Sequence, residues 1–239
     1  MMGIIDTLKL PARYVLEFAR HNERVDDFYL LEPYFKNKVG LEVGGMSRPF
    51  AWVGIYPIYS LASRVDNCNA TMIKKYHAPY PRFFVKGKDY IREATNLLFA
   101  DESYDFVASC HVIEHIANPL KAMLESKRVL KKGGVIIAIC PHKGYTGDSL
   151  RGVTPLSHLI DDWDKNVDEH DMSHITDIDR GTYAKAHLDK PDSNFETRVM
   201  HHHTFVPESV IEMFRWAGLE VIYCKTVLPH HIVGVGAKK

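Results

Sequence analysis

Apolar positions along this chain switch between two periods, and the switches predict its elements. Residues 8–35 carry Leu8, Leu10, Val15, Leu16, Phe18 and Ala19 at helical spacing, followed by Val25, Phe28, Leu30 and Leu31. This predicts a helical preface. Residues 41–43 form a short apolar strand, and Gly44-Gly45 predicts a tight turn leading into a helix. A weaker run over 62–65 ends at Asp66, the predicted tip of a second strand. Residues 90–94 and 104–110 read as a third and a fourth. A helix over 119–130 is closed by Lys131-Lys132-Gly133-Gly134, in the manner of a glycine C-cap. Residues 134–140 are apolar on both faces, as at the centre of a parallel sheet. Residues 207–216 form another helix, with Pro207 in its first turn and Gly218 past its end. Strands over 219–227 and 232–235 are joined by Leu228-Pro229-His230-His231. That link is too short for a crossover helix, so the pair must be antiparallel.

The order is α/β: seven strands, mostly parallel, with an antiparallel last strand and helices on both faces. The pattern breaks between Pro141 and Phe205, a segment that carries eight of the fourteen histidines. We read 141–205 as a His-rich insertion after strand five, a lid over the active-site edge of one domain spanning 1–239, with 1–35 as its preface.

Composition narrows the function. Lys+Arg and Asp+Glu balance at 30 each, so no basic stripe suggests nucleic acid or an anionic membrane. No apolar run approaches the ~20 residues of a membrane span, and residues 1–20 show no signal-peptide pattern. Cys68, Cys110, Cys140 and Cys224 stand singly, without a CxxC pair. This speaks against a zinc knuckle or a disulfide framework and for a reducing, cytoplasmic location.

The most informative stretch is Val39-Gly40-Leu41-Glu42-Val43-Gly44-Gly45-Met46-Ser47. An acid at a strand end followed by glycines lets the backbone approach a ligand closely, which suggests a nucleoside-type cofactor. Three segments carry a family resemblance. They are Leu41-Glu42-Val43-Gly44-Gly45; Glu93 to Phe99 with Ser103 to Val107; and Ser109-Cys110-His111-Val112-Ile113-Glu114-His115-Ile116-Ala117-Asn118-Pro119 followed by Arg128 to Gly134. With this order and spacing the chain resembles the class I S-adenosylmethionine-dependent methyltransferases, in the small-molecule branch related to ubiquinone biosynthesis. The resemblance covers about residues 36–141 and 205–236, and it implies a Rossmann-like fold. It also implies that Glu42, Gly44, Gly45, Met46 and Ser47 face the methionine end of S-adenosylmethionine. Asp66 would take the ribose hydroxyls, Glu93 and Ala94 would flank the adenine, and His111 would line the cleft. Met46 and Arg48 stand where the usual first motif has its second and third glycines. More loosely, Pro141-His142-Lys143, Asp171-Met172-Ser173-His174 and His201-His202-His203-Thr204-Phe205 resemble methyltransferase domains associated with surface-polysaccharide pathways.

Methyl transfer to an alcohol needs a base, and histidine suits neutral pH. His142, directly after the central strand, is the first candidate, with a loop cap as its structural alternative. His115, His174 and His203 complete the candidate catalytic set. His170 and His174 would share a helical face, and Asp161-Asp162-Trp163-Asp164 could add oxygen ligands. The spacing matches no dedicated ligand motif, so no metal site is assigned and a divalent cation is not favoured. Trp163 and Tyr183 could stack on a sugar or form a small core. The expected function is O-methylation of a hydroxyl on a sugar, nucleotide sugar or glycan end, with the protein able to form a homodimer. The alternatives are N-methylation of a phosphorylated amine held by Lys143, Arg151 and Arg180, and an inactive scaffold of the same fold. A nicotinamide oxidoreductase is disfavoured by the missing G-x-G-x-x-G.

Overall fold

The computed structural model describes residues 25, 27–52, 54–70, 86–177 and 193–239. Seven strands form one sheet: β1 (Val39–Val43), β2 (Arg64–Asn69), β3 (Asp89–Ile91), β4 (Tyr104–Cys110), β5 (Leu130–Pro141), β6 (Glu220–Val227) and β7 (His231–Ala237). Their order across the sheet is β3-β2-β1-β4-β5-β7-β6. β1 to β5 run parallel, and β7 is antiparallel to both β5 and β6. The described helices are α1 (Ile58–Leu61), α2 (Pro119–Val129), α3 (Leu156–Asp164), α4 (Ser193–Thr197) and α5 (Pro207–Trp216).

Alternation along the strands builds two cores. Leu41, Val43, Cys68, Val107, Ile136, Ala138 and Cys140 face α2 and α5, which contribute Leu120, Met123, Val210, Met213 and Phe214. Phe106, Ala108, Ile137, Ile139, Val233 and Val235 face the other way. Phe28, Leu31, Phe35, Phe50, Tyr56 and Ile58 cover that second side. A sheet apolar on both faces needs a cover on each; among the described residues α2 and α5 cover one face, and α1 with aromatic-rich turns lies on the other.

Several expectations need correction. Within 28–34 the preface forms two 3₁₀ turns, Phe28–Leu30 and Glu32–Tyr34; Pro33 denies the helix a hydrogen bond there. Residues 8–24 of that predicted helix lie outside the described residues. No α-helix follows the glycine turn directly. Arg48–Phe50 is a 3₁₀ turn containing Pro49, and α1, the next described helix, is only four residues long. β2 runs on to Asn69, which leaves Asp66 inside the strand. The predicted glycine C-cap is a strand irregularity instead. Leu130 turns extended directly after α2 and pairs with Tyr104. The extra residues are absorbed between Tyr104 and Phe106, where Gly133 takes φ +74. Helix 207–216, Gly218 at φ +68 and the antiparallel closing pair agree with expectation.

The chain leaves the sheet after β5 and returns where His142 bridges Phe205. Between them lie a 3₁₀ turn (Lys143–Tyr145), α3, a second 3₁₀ turn (Ser173–Asp177) and α4. Among the described residues no helix is long and apolar enough to cross a membrane.

Candidate active site

Two buried acids mark the carboxyl ends of neighbouring strands. Glu42 sits on β1, pairs in register with Asn67 and Ala108, and is fully buried. The Tyr59 hydroxyl donates to its Oε2 and accepts the Ser47 N–H at 2.7 Å. Its Oε1 has no partner. Burial pushes the Glu42 carboxyl up to about 8, against the hydrogen bonds from Ser47 and Tyr59. The turn beyond it takes φ +98 at Gly44 and +102 at Gly45, backbone that L side chains rarely adopt. A Cβ on Gly44 would also lie 2.0 Å from Val112, so the β1 and β4 loops touch there. With its amide turned to suit its neighbours, Asn67 donates to the Gly45 carbonyl at 3.1 Å and accepts the Met46 N–H at 3.3 Å, pinning the turn.

Glu114 lies just past β4, fully buried, with both carboxylate oxygens unpartnered. Imidazoles surround it. His111 Nδ1 is 3.6 Å and His115 Nε2 3.8 Å from Oε1, and Glu114, His115 and His201 each offer a ligand atom within 4.8 Å of the others. Burial raises the Glu114 carboxyl to about 7, while the His201 charge works to lower it. Burial holds His115 down to about 3. His201 is raised: burial opposes its charge, but the bond to Asp148 at 2.6 Å and the Glu114 carboxylate outweigh that. The outer nitrogens are fixed, His115 Nδ1 by the Met200 carbonyl at 3.1 Å and His201 Nδ1 by Asp148. His111 has φ +52, and its Nε2 meets His231 Nδ1 at 2.9 Å, with His230 stacked edge-on. Burial, then His231, lowers His111 to about 3.

A sequence model of the family described as "Methyltransferase domain" matches residues 64–138, which run from β2 through β4 and α2 into β5. An uncharacterized protein of Methanocaldococcus jannaschii is 41% identical over 61 residues, a match spanning 25% of this chain and 30% of that protein. A Mesorhizobium loti S-adenosylmethionine-dependent methyltransferase superposes with TM-score 0.53 at 11% identity, over 88% of this chain and 95% of that one. The chain bound to the Trm112 methyltransferase activator in a Haloferax volcanii complex superposes with TM-score 0.51 at 13% identity, over 99% and 98%. At such identities the likeness establishes the Rossmann-like methyltransferase fold. Residues 64–138 match the methyltransferase-domain model, and the sheet around them has the fold of the solved methyltransferases.

Within this fold the predicted residues divide. Glu42, Gly44, Gly45, Met46 and Ser47 gather at the end of β1, and His111 and His115 gather with Glu114 past β4. Asp66 does not join them. It pairs in register with Leu41, so its side chain leaves the opposite face of the sheet from Glu42. Its carboxylate accepts from the Lys88 N–H at 2.9 Å and the Tyr104 hydroxyl at 3.1 Å, and it pairs with Arg64 at 3.3 Å. Glu93, beside Ala94 and bridged to Asn96, is held by Arg198 at 2.7 and 3.2 Å. His142 shows its structural alternative: its Nδ1 accepts the Gly144 N–H at 3.0 Å and caps the following turn. His174 and His203 come together with His158, apart from the Glu114 group. His170 shares no helix with His174; it bonds Asp168 at 3.1 Å and stacks on Phe195. Trp163 packs edge-on to Trp216 as core, and Tyr183 and Arg180 lie outside the described residues. Lys143 bonds the Ser149 carbonyl, and Arg151 is spent on Asp148 and the His201 and His202 carbonyls.

Sequence reasoning missed Glu114, Asp148, His201, His230 and His231 as a group. The signal was present in Glu114-His115, an acid and an imidazole at a strand exit, but the rest of the group comes from residues 33 to 117 positions away.

Proposed function

We propose that this protein is an S-adenosylmethionine-dependent methyltransferase that methylates a hydroxyl of a small polar acceptor, with Glu114 and its imidazoles as the proton-accepting group. The observation that carries this is the fully buried Glu114 carboxylate at the end of β4, unpartnered at both oxygens. Such a group is costly unless a ligand or proton completes it. Open α/β sheets bind ligands at this edge.

The residues at the end of β1 fit the cofactor. Glu42 Oε1 is a buried acceptor without a donor, suited to a hydroxyl or ammonium group. Asn69 follows Cys68, the register partner of Val43, and so stands level with Gly44. It takes the place first given to Asp66, facing the ribose. When bound, the cofactor supplies an electrophilic methyl group on sulfur. The chain's own residues bind it, align the acceptor, and take the hydroxyl proton at a Glu114 oxygen. A carboxyl near pH 7 is matched to that work. A wall of imidazoles and carboxylates favours a polyhydroxylated acceptor, so a sugar remains the acceptor we propose. The phosphorylated-amine alternative loses support, because Lys143 and Arg151 are engaged within the chain.

A specific observation favours a second role for the same trio. His115 bonds the Met200 carbonyl through Nδ1 and turns Nε2 to Glu114, and His201, bonded to Asp148 through Nδ1, offers a ligand atom to the same group. Ligating imidazoles are oriented in this way. Glu114, His115 and His201 would therefore hold a divalent cation, which lowers the pKa of a bound hydroxyl.

The test is calorimetry with S-adenosylhomocysteine, then radiometric methyl transfer to a panel of sugars and nucleotide sugars, with and without chelator. Micromolar binding with transfer to a hydroxyl acceptor is expected. Absence of binding would refute the proposal.

A further inference from the structure

A second convergence of imidazoles lies inside the insertion, a separate group from the Glu114 trio. His158 on α3, His174 in the Ser173–Asp177 turn and His203 on the returning segment bring one nitrogen each within 4.8 Å of one another. His158 Nε2 is 3.1 Å from His174 Nε2. Asp162, one helical turn after His158, places Oδ2 3.4 Å from His158 Nε2 and 3.7 Å from His203 Nε2. Donors around four-coordinate zinc, with bonds of about 2.0–2.1 Å, lie roughly 3.3–3.4 Å apart, close to the 3.1 and 3.4 Å that separate His158 Nε2 from His174 Nε2 and Asp162 Oδ2.

Two buried atoms here have no partner, Asp162 Oδ2 and His203 Nδ1. His203 Nε2 lies 3.2 Å from the Ala117 carbonyl, the outer hydrogen bond that orients a ligating imidazole and frees Nδ1. Among the described residues, Met200 with Met172, Ile175 and Val199 forms a small core of the segment separate from the main one. Four donors drawn from three separate stretches would tie α3, the 173–177 turn and the return past 201 into one unit.

We propose that His158, Asp162, His174 and His203 form a closed zinc site that ties the separate stretches of the insertion together. All four positions are filled by the chain, so its role is structural. The Glu114 trio, with an open position, is the one built for an acceptor.

The test is metal analysis of the full-length protein purified without chelator, on a Glu114→Gln background that removes the other trio's carboxylate. One equivalent of zinc is expected, falling to less than a tenth in the His158→Ala/His174→Ala double variant. Stripping zinc should lower Tm by about 8 °C or more, the size of effect a tightly bound ligand gives a chain of this length. Should the double variant fail to fold, cobalt(II) loaded into the Glu114→Gln protein gives a second reading. Intense visible bands of four-coordinate cobalt support the site, and only weak six-coordinate bands overturn it. Zinc retained in the double variant, or no bound zinc and no thermal response to added zinc, also overturns it.

Discussion

Glu42 and Glu114 occupy equivalent places at the ends of adjacent strands, yet their surroundings differ in kind. Both are fully buried, and burial raises both carboxyls. Glu42 is closed over by a neutral hydroxyl from Tyr59 and by a backbone turn. Glu114 is ringed by nitrogens that can carry a proton or bind a cation. The proposed mechanism divides the labour accordingly, with ligand binding at β1 and proton transfer at β4.

The largest effect expected from breaking this division is at Glu114. Glu114→Gln should lower turnover by about 10²–10⁴-fold, the range of a lost acid–base group, with S-adenosylhomocysteine affinity within twofold of native. Glu42→Ala should do the reverse. Loss of a charge-assisted hydrogen bond of about 1.5–3 kcal/mol weakens cofactor binding by roughly 10–100-fold, measured by calorimetry. If both variants impair affinity equally, the division is wrong.

The pH dependence sharpens it further. With Glu114 near 7, kcat/KM should climb through about pH 7 and level off, since His111 and His115 stay neutral with values near 3. The stability signs oppose each other. Glu114 is raised above its unfolded value of 4.5, so its contribution is present below about 4.5 and lost as pH rises through 7. The lowered His111 and His115 contribute above their unfolded value of 6.5 and lose it as pH falls toward 3. Urea midpoints at pH 5 and pH 8 should therefore fall more on alkalinisation in the native protein than in Glu114→Gln. An equal fall in the two would detach the raised carboxyl from Glu114.

Asp66 tests the β1 side from the opposite face. Asp66→Ala should cost about 1–3 kcal/mol of stability by stranding the Lys88 N–H and the Tyr104 hydroxyl. Cofactor affinity should stay within twofold. A tenfold loss of affinity with native stability would restore Asp66 to the ribose.

What the sequence disclosed follows the physics of each element. Strands apolar on both faces, such as 104–110 and the core of β5, announce themselves, as does the helix opened by Pro207 and closed by Gly218. The glycine turn after β1 was legible because few other residues tolerate its backbone. Register was not: the acid at position 66 is one residue short of the face it needed, and a period-2 element turns that single step into the wrong side of the sheet. The Glu114 group was hidden for a different reason. Its partners Asp148, His201 and His231 come from three later segments, and no local period links them.

His142 gives the smallest and most discriminating test. Its position after the central strand made it the natural base, but its Nδ1 is used by the Gly144 N–H and its ring lies against Tyr145 at 4.7 Å. A cap of that kind is worth about 0.5–1 kcal/mol. His142→Ala should lower the urea midpoint slightly and leave turnover within about twofold. His115→Ala, which removes an imidazole facing Glu114, should lower turnover at least tenfold. If the two variants exchange these outcomes, the proton leaves the acceptor at the end of β5 and not at the end of β4, and Glu114 is left as a buried structural acid.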